Sequence, residues 1–213
     1  MKTNVLIALT ALITVFTACQ KDPKDPTDNG GGDITKDYQP MTANSSWQYS
    51  STTLGNYTET ATGMDTTVNG DKYSIFNNSQ NGRRYYRKSD NSYYMYGYVD
   101  VVKQTINILY LKDVAVGTTW TNTASYSGIP IELKYTVASQ GGEKTVNNKA
   151  YKDVIGLQFV VTASSPLGGG ATTVATGQSF YAKGVGLITQ TVEADVLGTQ
   201  ISDSTYLVSS DIK

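Results

Sequence analysis

From Trp47 to the C-terminus, apolar and polar residues alternate often enough to suggest the two-residue period of β-strands. Tyr, Thr and Val are abundant here, and the turn-forming residues Asn, Gly and Asp recur roughly every 8–12 residues. No window shows a sustained apolar stripe with the 3.6-residue period of a helix. The connections are too short for the crossovers that parallel strands need, so we expect an antiparallel arrangement.

This pattern predicts one all-β domain over residues 38–213, folded as a single antiparallel open barrel or a strongly curved sheet. An all-β domain of this length need not split into two. We predict thirteen strands, with separate strands at 130–139 and 143–147.

A short segment of the sequence occurs twice. Residues 67–73 (TVNGDKY) are matched by residues 145–151 (TVNNKAY), and a tryptophan opens a strand before each, Trp47 and Trp120. The Asn-Gly and Asn-Asn pairs suit tight hairpins with positive φ at their centre. We expect two related halves within one continuous sheet; the alternative is that hairpin chemistry recurs by chance in a chain so rich in β-structure.

The first eighteen residues have the features of an export signal. Lys2 supplies a positive charge, and the apolar run at 5–16 is shorter than the ~20 residues of a membrane-spanning helix. Thr17 and Ala18 then precede Cys19, the only cysteine of the chain. Because an unpaired thiol is unusual in an exported protein, we favour a modified Cys19 over an ordinary signal with an incidental cysteine.

The residues before Cys19 resemble a bacterial lipobox, with Phe16 at the position where Leu is usual. The resemblance implies cleavage after residue 18 and attachment of lipid to Cys19. Two or more acyl chains hold a protein stably at a membrane. Gln20, Lys21 and Asp22 resemble the export signal of some Bacteroidetes-type surface lipoproteins. The expected location is the outer membrane, on the cell surface or alternatively on the periplasmic face.

Residues 19–37 predict a disordered tether, because they repeat Lys-Asp-Pro, contain three consecutive glycines and offer almost nothing apolar to bury. The membrane is therefore an expected partner, reached through the lipid.

The composition argues against several functions. The chain has no histidine, which removes the usual general base near pH 7 and the commonest zinc ligand. A net charge of −1 and only three arginines argue against nucleic acid as a partner. Glu193 and Asp195 share a strand face about 7 Å apart, but such neighbours are more typical of a charged edge than of a catalytic pair. We expect no enzymatic activity, no cofactor and no metal site.

The most unusual local feature is a tyrosine-rich hairpin at 83–98, which contains all three arginines. A turn at Asp90-Asn91 would pair Arg87 with Tyr94 and Tyr85 with Tyr96. One face of the hairpin would then carry alternating cations and rings, namely Arg83, Tyr85, Arg87, Tyr94, Tyr96 and Tyr98. Flat rings with polar tips beside guanidinium groups suit glycans or a protein partner. The alternative is that the Arg–Tyr pairs only stabilise the hairpin.

Two short motifs resemble the acceptor pattern of Bacteroidetes-type protein O-glycosylation, Asp-Thr-Thr at 65–67 and Asp-Ser-Thr at 203–205. The predicted acceptors are Thr66 and Ser204. The oxygen-rich stretch 65–71 lacks the ligand spacing of a known calcium motif and is better explained as a hairpin turn.

A longer motif order resembles a broad group of uncharacterised Bacteroidetes-type outer-membrane lipoproteins. Its carriers span most of the predicted domain: Tyr38, Pro40, Trp47, Tyr49, Asn69, Gly70, Tyr73, Gly117, Trp120, Tyr151, Asp153, Val154 and residues 181–188. The resemblance implies a curved sheet similar to lipoprotein carriers of the LolA/LolB type, although no helix that could close such a barrel is evident. We expect a non-enzymatic module that binds glycan or another envelope component. The alternatives are a carrier of an apolar ligand or lipid inside the barrel, and a hydrolase that uses carboxylates.

Overall fold

The computed structural model describes residues 37–99, 104–126, 128–164, 170–196 and 199–213. No helix in these ranges has the length and apolar character needed to cross a membrane. The predicted signal peptide, Cys19 and the tether up to residue 36 lie outside them. The described chain forms twelve strands: β1 Ser46–Ser51, β2 Gly55–Val68, β3 Asp71–Asn78, β4 Gly82–Ser89, β5 Ser92–Val99, β6 Gln104–Lys112, β7 Thr119–Tyr126, β8 Ile129–Val146, β9 Lys149–Ser164, β10 Ala171–Ala182, β11 Gly186–Val196 and β12 Thr199–Asp211.

All twelve strands belong to one antiparallel sheet, in the order β6-β5-β4-β3-β2-β1-β12-β11-β10-β9-β8-β7. Strands that follow each other in sequence are therefore neighbours, and β1 pairs with β12. The sheet curls into a barrel that is closed except for one seam between β6 and β7. At this seam the side chains of Trp120 and Asn122 reach the backbone of Leu109. The predicted open antiparallel barrel is confirmed.

The repeated sequence segments occupy equivalent places in two six-strand halves, β1–β6 and β7–β12. Trp47 is the second residue of β1, and Trp120 is the second residue of β7. The Asn-Gly turn at 69–70 joins β2 to β3, and the Asn-Asn turn at 147–148 joins β8 to β9. All four turn residues have φ between 50° and 87°, as a type I′ hairpin requires. The predicted pair of halves therefore lies in one sheet, with the echoed motifs in register.

The prediction of separate strands at 130–139 and 143–147 is wrong, because a single strand, β8, spans both. Its register against β9 shifts three times between Val137 and Lys144, and Gly141 takes a φ of 74°. The Gln-Gly-Gly sequence is thus a bulge and not a turn. A bulge bends a strand without ending it, which lets the long β8–β9 hairpin follow the curvature of the barrel.

Aromatic side chains fill the barrel and connect its opposite walls. Trp47 stacks on Phe76 with 5.7 Å between ring centroids, and Phe76 meets Tyr86 edge-on at 4.8 Å. Tyr86 lies 6.0 Å from Tyr110, which in turn reaches Tyr181 on β10 at 5.9 Å. Such pairs contribute about 0.5–1.5 kcal/mol each beyond their burial. A continuous aromatic row therefore crosses a core that also contains many aliphatic side chains.

Residues 37–45, which we call the lead-in segment, cover one end of the barrel before β1 begins. Tyr38 is only 1% exposed, and its backbone N–H donates to the hydroxyl of Tyr93 at 3.2 Å. The backbone N–H of Gly184 donates to the carbonyl of Asp37 at 2.8 Å. Asp37, the first residue that the structure describes, thus already contacts the barrel. The β1–β2 turn lies at the other end, which we call the far end.

Candidate functional site

The tyrosine-rich hairpin forms in the predicted register. Tyr85 pairs with Tyr96 and Arg87 with Tyr94, around a turn in which Asp90 has a φ of 52°. The alternation divides the hairpin as expected. Tyr86, Tyr93 and Met95 belong to the barrel core, and Arg84 is also buried. The predicted binding residues whose side chains the structure describes, Arg83, Tyr85, Arg87, Tyr94 and Tyr96, therefore lie on the outer face of the barrel.

A small hydrophobic cluster, which we call the outer cluster, underlies this face. Its buried members are Tyr73 and Ile75 of β3 and Tyr85 of β4, with Tyr73 2% exposed and Tyr85 6% exposed. Tyr94 and Tyr96 of β5 pack against them and remain half-exposed. Ring centroids lie 5.5 Å apart for Tyr73–Tyr96 and 6.3 Å for Tyr85–Tyr96. The two accessible tyrosines thus rest on an aromatic floor.

Arg87 holds this arrangement together. Its guanidinium carbon lies 4.2 Å from the centroid of the Tyr94 ring and 5.5 Å from that of Tyr73. The Nη1 atom donates to Oδ1 of Asp71 at 2.9 Å. The cation is therefore stacked on two rings and paired with a carboxylate, which makes the face nearly neutral and its rings rigid.

Of the predicted binding residues, Tyr94 and Tyr96 are partly exposed, whereas Tyr85 is buried beneath Tyr96 and Arg87 stacks on Tyr94. Arg83 lies on the same face of β4 and is half-exposed. Tyr98 lies at the end of β5, and its side chain is outside the described part of the chain. Binding of a glycan or a protein partner by this face stays a prediction.

The structure describes the two predicted glycosylation acceptors but not the predicted lipidation and export residues. Cys19 and the export-signal residues Gln20, Lys21 and Asp22 lie outside the described residues. Thr66 is buried, with its hydroxyl enclosed, so a modifying enzyme could reach it only before folding. Ser204 is exposed and stays a possible acceptor. Within the described ranges, no group of three or more acidic or cysteine side chains could hold a metal ion.

An interior cavity of about 80 Å³ was not anticipated from the sequence. It lies between the walls of the barrel, and its lining includes Thr53 and Leu54 of the β1–β2 turn as well as Gln39 of the lead-in segment. Its lining combines five tyrosines, a buried ion pair and several polar and aliphatic groups: Gln39, Tyr49, Thr53, Leu54, Tyr57, Glu59, Arg84, Tyr86, Met95, Tyr110, Tyr181, Leu187, Gln190, Val192, Asp203 and Thr205.

The ion pair in this cavity joins Glu59 of β2 to Arg84 of β4, with 3.7 Å between Oε1 and Nη1. The hydroxyl of Tyr86 donates to the same Glu59 oxygen at 3.2 Å. Burial raises the pKa of Glu59, while Arg84 and Tyr86 act against that shift. Burial alone would lower the pKa of Arg84, but Tyr86 and Glu59 raise it above its ordinary value. The Arg84 guanidinium therefore stays charged, and the Glu59 carboxylate balances its charge.

A second carboxylate, Asp203 of β12, lies where the cavity meets the far end. It accepts hydrogen bonds from the Ser51 hydroxyl at 2.7 Å and from the Thr53 backbone at 3.0 Å. Glu59 lies opposite Trp47, and Ser51 lies opposite Thr205. Six residue steps of roughly 3.3 Å therefore separate the two acids along the strands, or about 20 Å. That is too far for the paired carboxylates of a glycosidase.

The carboxylates singled out in the sequence lie elsewhere. Glu193 and Asp195 are both exposed on the outer face of β11. Gln200 donates to Asp195 at 2.9 Å across the β11–β12 hairpin. The structure brings neither of them to the cavity.

One sequence signal could have revealed the interior pair. In β2 the buried positions alternate as Tyr57, Glu59 and Ala61, which places a carboxylate on the core face. In β4 the same reasoning places Arg84 beside Tyr86 on the core face. Because a buried charge needs a partner, an ion pair between Glu59 and Arg84 could have been predicted. The floor of the outer cluster was not identified, because it requires the register of the β3–β4 hairpin, which the short turn between Asn78 and Gly82 does not announce in the sequence.

Comparison with known proteins identifies a similar fold and no family. No family model matches the chain, and no curated protein matches it. Among solved structures, the crystal structure of a protein described as "a putative lipoprotein" from Parabacteroides distasonis ATCC 8503 is similar, with a TM-score of 0.51. The two sequences are 14% identical, and the match covers 84% of this chain and 100% of the other. At this identity the likeness concerns the fold alone.

Proposed function

We propose that the chain is a lipid-anchored outer-membrane protein, exposed at the cell surface, that binds glycan without catalysing a reaction. The proposed lipid attachment site is Cys19, and Gln20, Lys21 and Asp22 are the proposed export signal. The lipobox resemblance supports this location, as does a fold shared with a Bacteroidetes protein described as a lipoprotein. The proposed binding surface is the outer face of the β4–β5 hairpin.

The observation that carries the proposal is the position of Tyr94 and Tyr96 on the outer cluster. They are alternate residues of one strand, so both rings lie on one face about 7 Å apart. The buried rings of Tyr73 and Tyr85 support them from below. A rigid tyrosine offers apolar area and a polar tip with little side-chain entropy left to lose on binding. Those properties match a sugar ring, which has apolar faces and hydroxyl edges.

The charge of this face also favours a glycan. Arg87 is already paired with Asp71 and stacked on Tyr94. The Arg87 guanidinium therefore adds hydrogen-bonding edges to this face, while the Asp71 carboxylate balances its positive charge. A neutral or weakly acidic glycan fits such a surface better than a strongly charged partner does.

The interior cavity does not favour the carrier alternative. Sites for drug-sized ligands occupy about 300–1,000 Å³, whereas this cavity measures about 80 Å³. Its lining includes the Glu59–Arg84 ion pair and tyrosine hydroxyls, which an acyl chain could not satisfy. An apolar ligand of lipid size would have to displace the aromatic row that fills the barrel.

The direct test is a glycan array probed with the wild-type protein and with the double variant Tyr94→Ala/Tyr96→Ala. A Tyr206→Ala variant is the matched control, because Tyr206 is an exposed tyrosine on β12, away from the hairpin. We expect the wild type and the control to bind the same glycans and the double variant to lose them. Equal binding by all three proteins, or binding by none, would overturn the proposal.

A further inference from the structure

The β8–β9 hairpin extends beyond the strands on either side of it. Within the described ranges, backbone bonds from β8 to β7 end at Val137, and the pairing of β9 with β10 ends at Val154. β8 and β9 continue to pair with each other as far as Val146. We call residues 143–152 the hairpin tip. Four residue steps of about 3.3 Å separate Gly142, the partner of Val154, from Val146, so the tip projects by roughly 13 Å.

The tip projects from the end of the barrel that the lead-in segment covers. At its base, the backbone N–H of Lys183 donates to the carbonyl of Asp153 at 3.3 Å. The N–H of the next residue, Gly184, donates to the carbonyl of Asp37 at 2.8 Å. The hairpin and the residue that follows the predicted tether are therefore held side by side on one turn. A chain of eighteen residues, the length from 19 to 36, spans at most about 60 Å, so a membrane that holds Cys19 lies within reach of the tip.

The tip is cationic, whereas the chain as a whole is not. It contains three lysines and one glutamate, a net charge of +2, in a chain whose net charge is −1. The next carboxylate along β9, that of Asp153, lies at the base of the tip. Most residues of the tip are exposed. A local excess of positive charge attracts an anionic surface even when the protein as a whole is acidic.

The three lysines of the tip remain available to a partner outside the protein. The ammonium groups of Lys144 and Lys149 lie over aromatic rings, 3.7 and 5.1 Å from the ring centroids. Neither makes an ion pair within the described residues. Lys152 lies 3.7 Å from Glu143, but the two side chains are 80% and 67% exposed, so water and salt screen their attraction.

The tip has a defined conformation although it projects. Val146 and Tyr151 are buried and belong to the core cluster of the barrel. Asn147 and Asn148 have φ of 50° and 61°, as a two-residue hairpin turn requires. Because these residues fix the backbone, the lysines are presented to a partner without the entropy cost of ordering a loop.

We propose that the hairpin tip docks on the phosphate-bearing headgroups of the membrane to which the chain is anchored. The proposal rests on the lipid anchor proposed at Cys19. Each lysine near an anionic membrane raises the affinity only about fivefold, so the tip needs the anchor to hold it close. Anchoring makes the contact intramolecular, which amplifies a weak affinity. The docked barrel would point its far end away from the membrane.

Energy transfer to labelled vesicles can test this docking. The purified mature chain, which starts at Cys19, is coupled through its only thiol to a maleimide lipid. The vesicles carry a dansyl-headgroup lipid as acceptor, in phosphatidylcholine alone or mixed with phosphatidylglycerol. The donor is the tryptophan of an Ala150→Trp variant, at an exposed position of the tip. Trp47 and Trp120 occur in every variant, so the chain without the added tryptophan supplies the background.

We expect more transfer in Ala150→Trp on vesicles with phosphatidylglycerol than on phosphatidylcholine alone. The increase should disappear at about 1 M salt, where the Debye length is only about 3 Å. Val160→Trp is the matched control, because Val160 is a 36% exposed residue further along β9, towards the far end. It should show no such increase.

Two charge reversals in the Ala150→Trp background identify the part of the chain that docks. Lys149→Glu removes two units of positive charge from the tip, so it should weaken docking about 25-fold, at about fivefold for each unit. The increase in transfer should then be lost. Lys134→Glu makes the same change in net charge on the wall of the barrel, in the part of β8 that pairs with β7, and should keep the increase.

Four results would overturn the proposal. The first is equal transfer in Ala150→Trp on both kinds of vesicle, and the second is an increase that survives Lys149→Glu or high salt. The third is an equal increase in Val160→Trp, which would mean approach to the membrane without docking through the tip. The fourth is an equal loss in Lys149→Glu and Lys134→Glu, which would assign the effect to the net charge of the whole chain.

Failure of the anchor would give a different result. The maleimide lipid supplies the attachment chemically, so the vesicle measurement does not depend on whether cells lipidate Cys19. Retention of a Cys19→Ser variant in cell membranes would refute lipidation and leave the vesicle result unchanged.

Discussion

The side-chain amide of Asn122 makes both of the hydrogen bonds that a neighbouring strand would make with Leu109. Its oxygen accepts from the Leu109 N–H at 2.9 Å, and its nitrogen donates to the Leu109 carbonyl at 3.1 Å. The indole N–H of Trp120 reaches the same carbonyl at 2.7 Å. The equivalent junction between the halves, β1 with β12, is a backbone ladder. The two junctions of the barrel are therefore closed by different means.

This arrangement predicts that Asn122→Ala opens the seam. The substitution removes the hydrogen bond from the Leu109 N–H and one of the two hydrogen bonds that the Leu109 carbonyl accepts. This loss should lower the free energy of unfolding, measured in urea, by about 1–2 kcal/mol. Amide hydrogen exchange at Leu109 should also become faster. Asn107→Ala is the control, because Asn107 is an exposed residue of β6, the strand that carries Leu109. If the two variants are equally stable, the hydrogen bonds between Asn122 and Leu109 contribute nothing to the stability of the fold.

A second prediction concerns Gly177, which makes room for an aromatic ring. A β-carbon at Gly177 would lie 2.3 Å from the Phe159 ring and 2.4 Å from the backbone oxygen of Thr191. Gly177→Ala should therefore destabilise the protein by about 1–3 kcal/mol, as overpacking does. Gly142→Ala in the β8 bulge is the control, because nothing lies within 4 Å of the position that its methyl group would occupy. A loss in the control as large as that in Gly177→Ala would contradict the steric explanation.

A third prediction concerns the pH dependence of Asp203. Burial alone would raise its pKa, but hydrogen bonds from Ser51, Thr53 and Thr205 outweigh burial and lower it. A carboxyl with a lowered pKa stabilises the fold fully above its unfolded pKa of about 3.9 and loses that effect as the pH falls through its folded pKa. Asp203→Asn should cost about 1 kcal/mol at pH 7, and the difference from the wild type should shrink below pH ~4.

The measurement is urea unfolding of both proteins at a series of pH values. Asp90→Asn is the control for the change in net charge, because Asp90 is exposed and Asn tolerates its φ of 52°. A difference between wild type and Asp203→Asn that is constant from pH 7 down to pH 2 would show that the charge of Asp203 has no role.

A fourth prediction tests the anchor. Cys19→Ser removes the sulfur to which lipid would be attached, so the protein should leave the membrane fraction. Membrane attachment through acyl chains gains about 0.8 kcal/mol for each buried methylene, and the Cys19→Ser protein would lack that gain. Cell fractionation followed by immunoblotting measures the change, with Tyr206→Ala as a control that should stay with the membranes. Retention of Cys19→Ser in the membranes would refute lipidation.

The fold was largely predictable because its signals are local. The alternation of residues sets which side of each strand faces the core, and pairs such as Asn69-Gly70 fix the hairpins. The β8 bulge was not predictable, because Gly141-Gly142 has the composition of a turn and only pairing with β9 shows that the strand continues. The seam was also hidden, since Asn122 looks like any polar strand residue until Leu109 is placed beside it.

The candidate site was predictable only within one hairpin. The pairing of Arg87 with Tyr94 was predicted from the turn at Asp90-Asn91, and the structure confirms it. Asp71 and Tyr73 were not assigned to the same face, because that assignment requires the register of the β3–β4 hairpin, which its short turn does not announce in the sequence. The cavity around Tyr110 depends on contact between opposite walls, which no local pattern encodes.

The proposed glycan surface is tested most directly by isothermal titration of the strongest glycan from the array against single variants. Tyr94→Ala and Tyr96→Ala should each weaken binding by about tenfold, or ~1.4 kcal/mol, because each removes a ring supported by the outer cluster. Tyr206→Ala should bind as the wild type does. Unchanged affinity in both hairpin variants would contradict the assignment of glycan binding to this face.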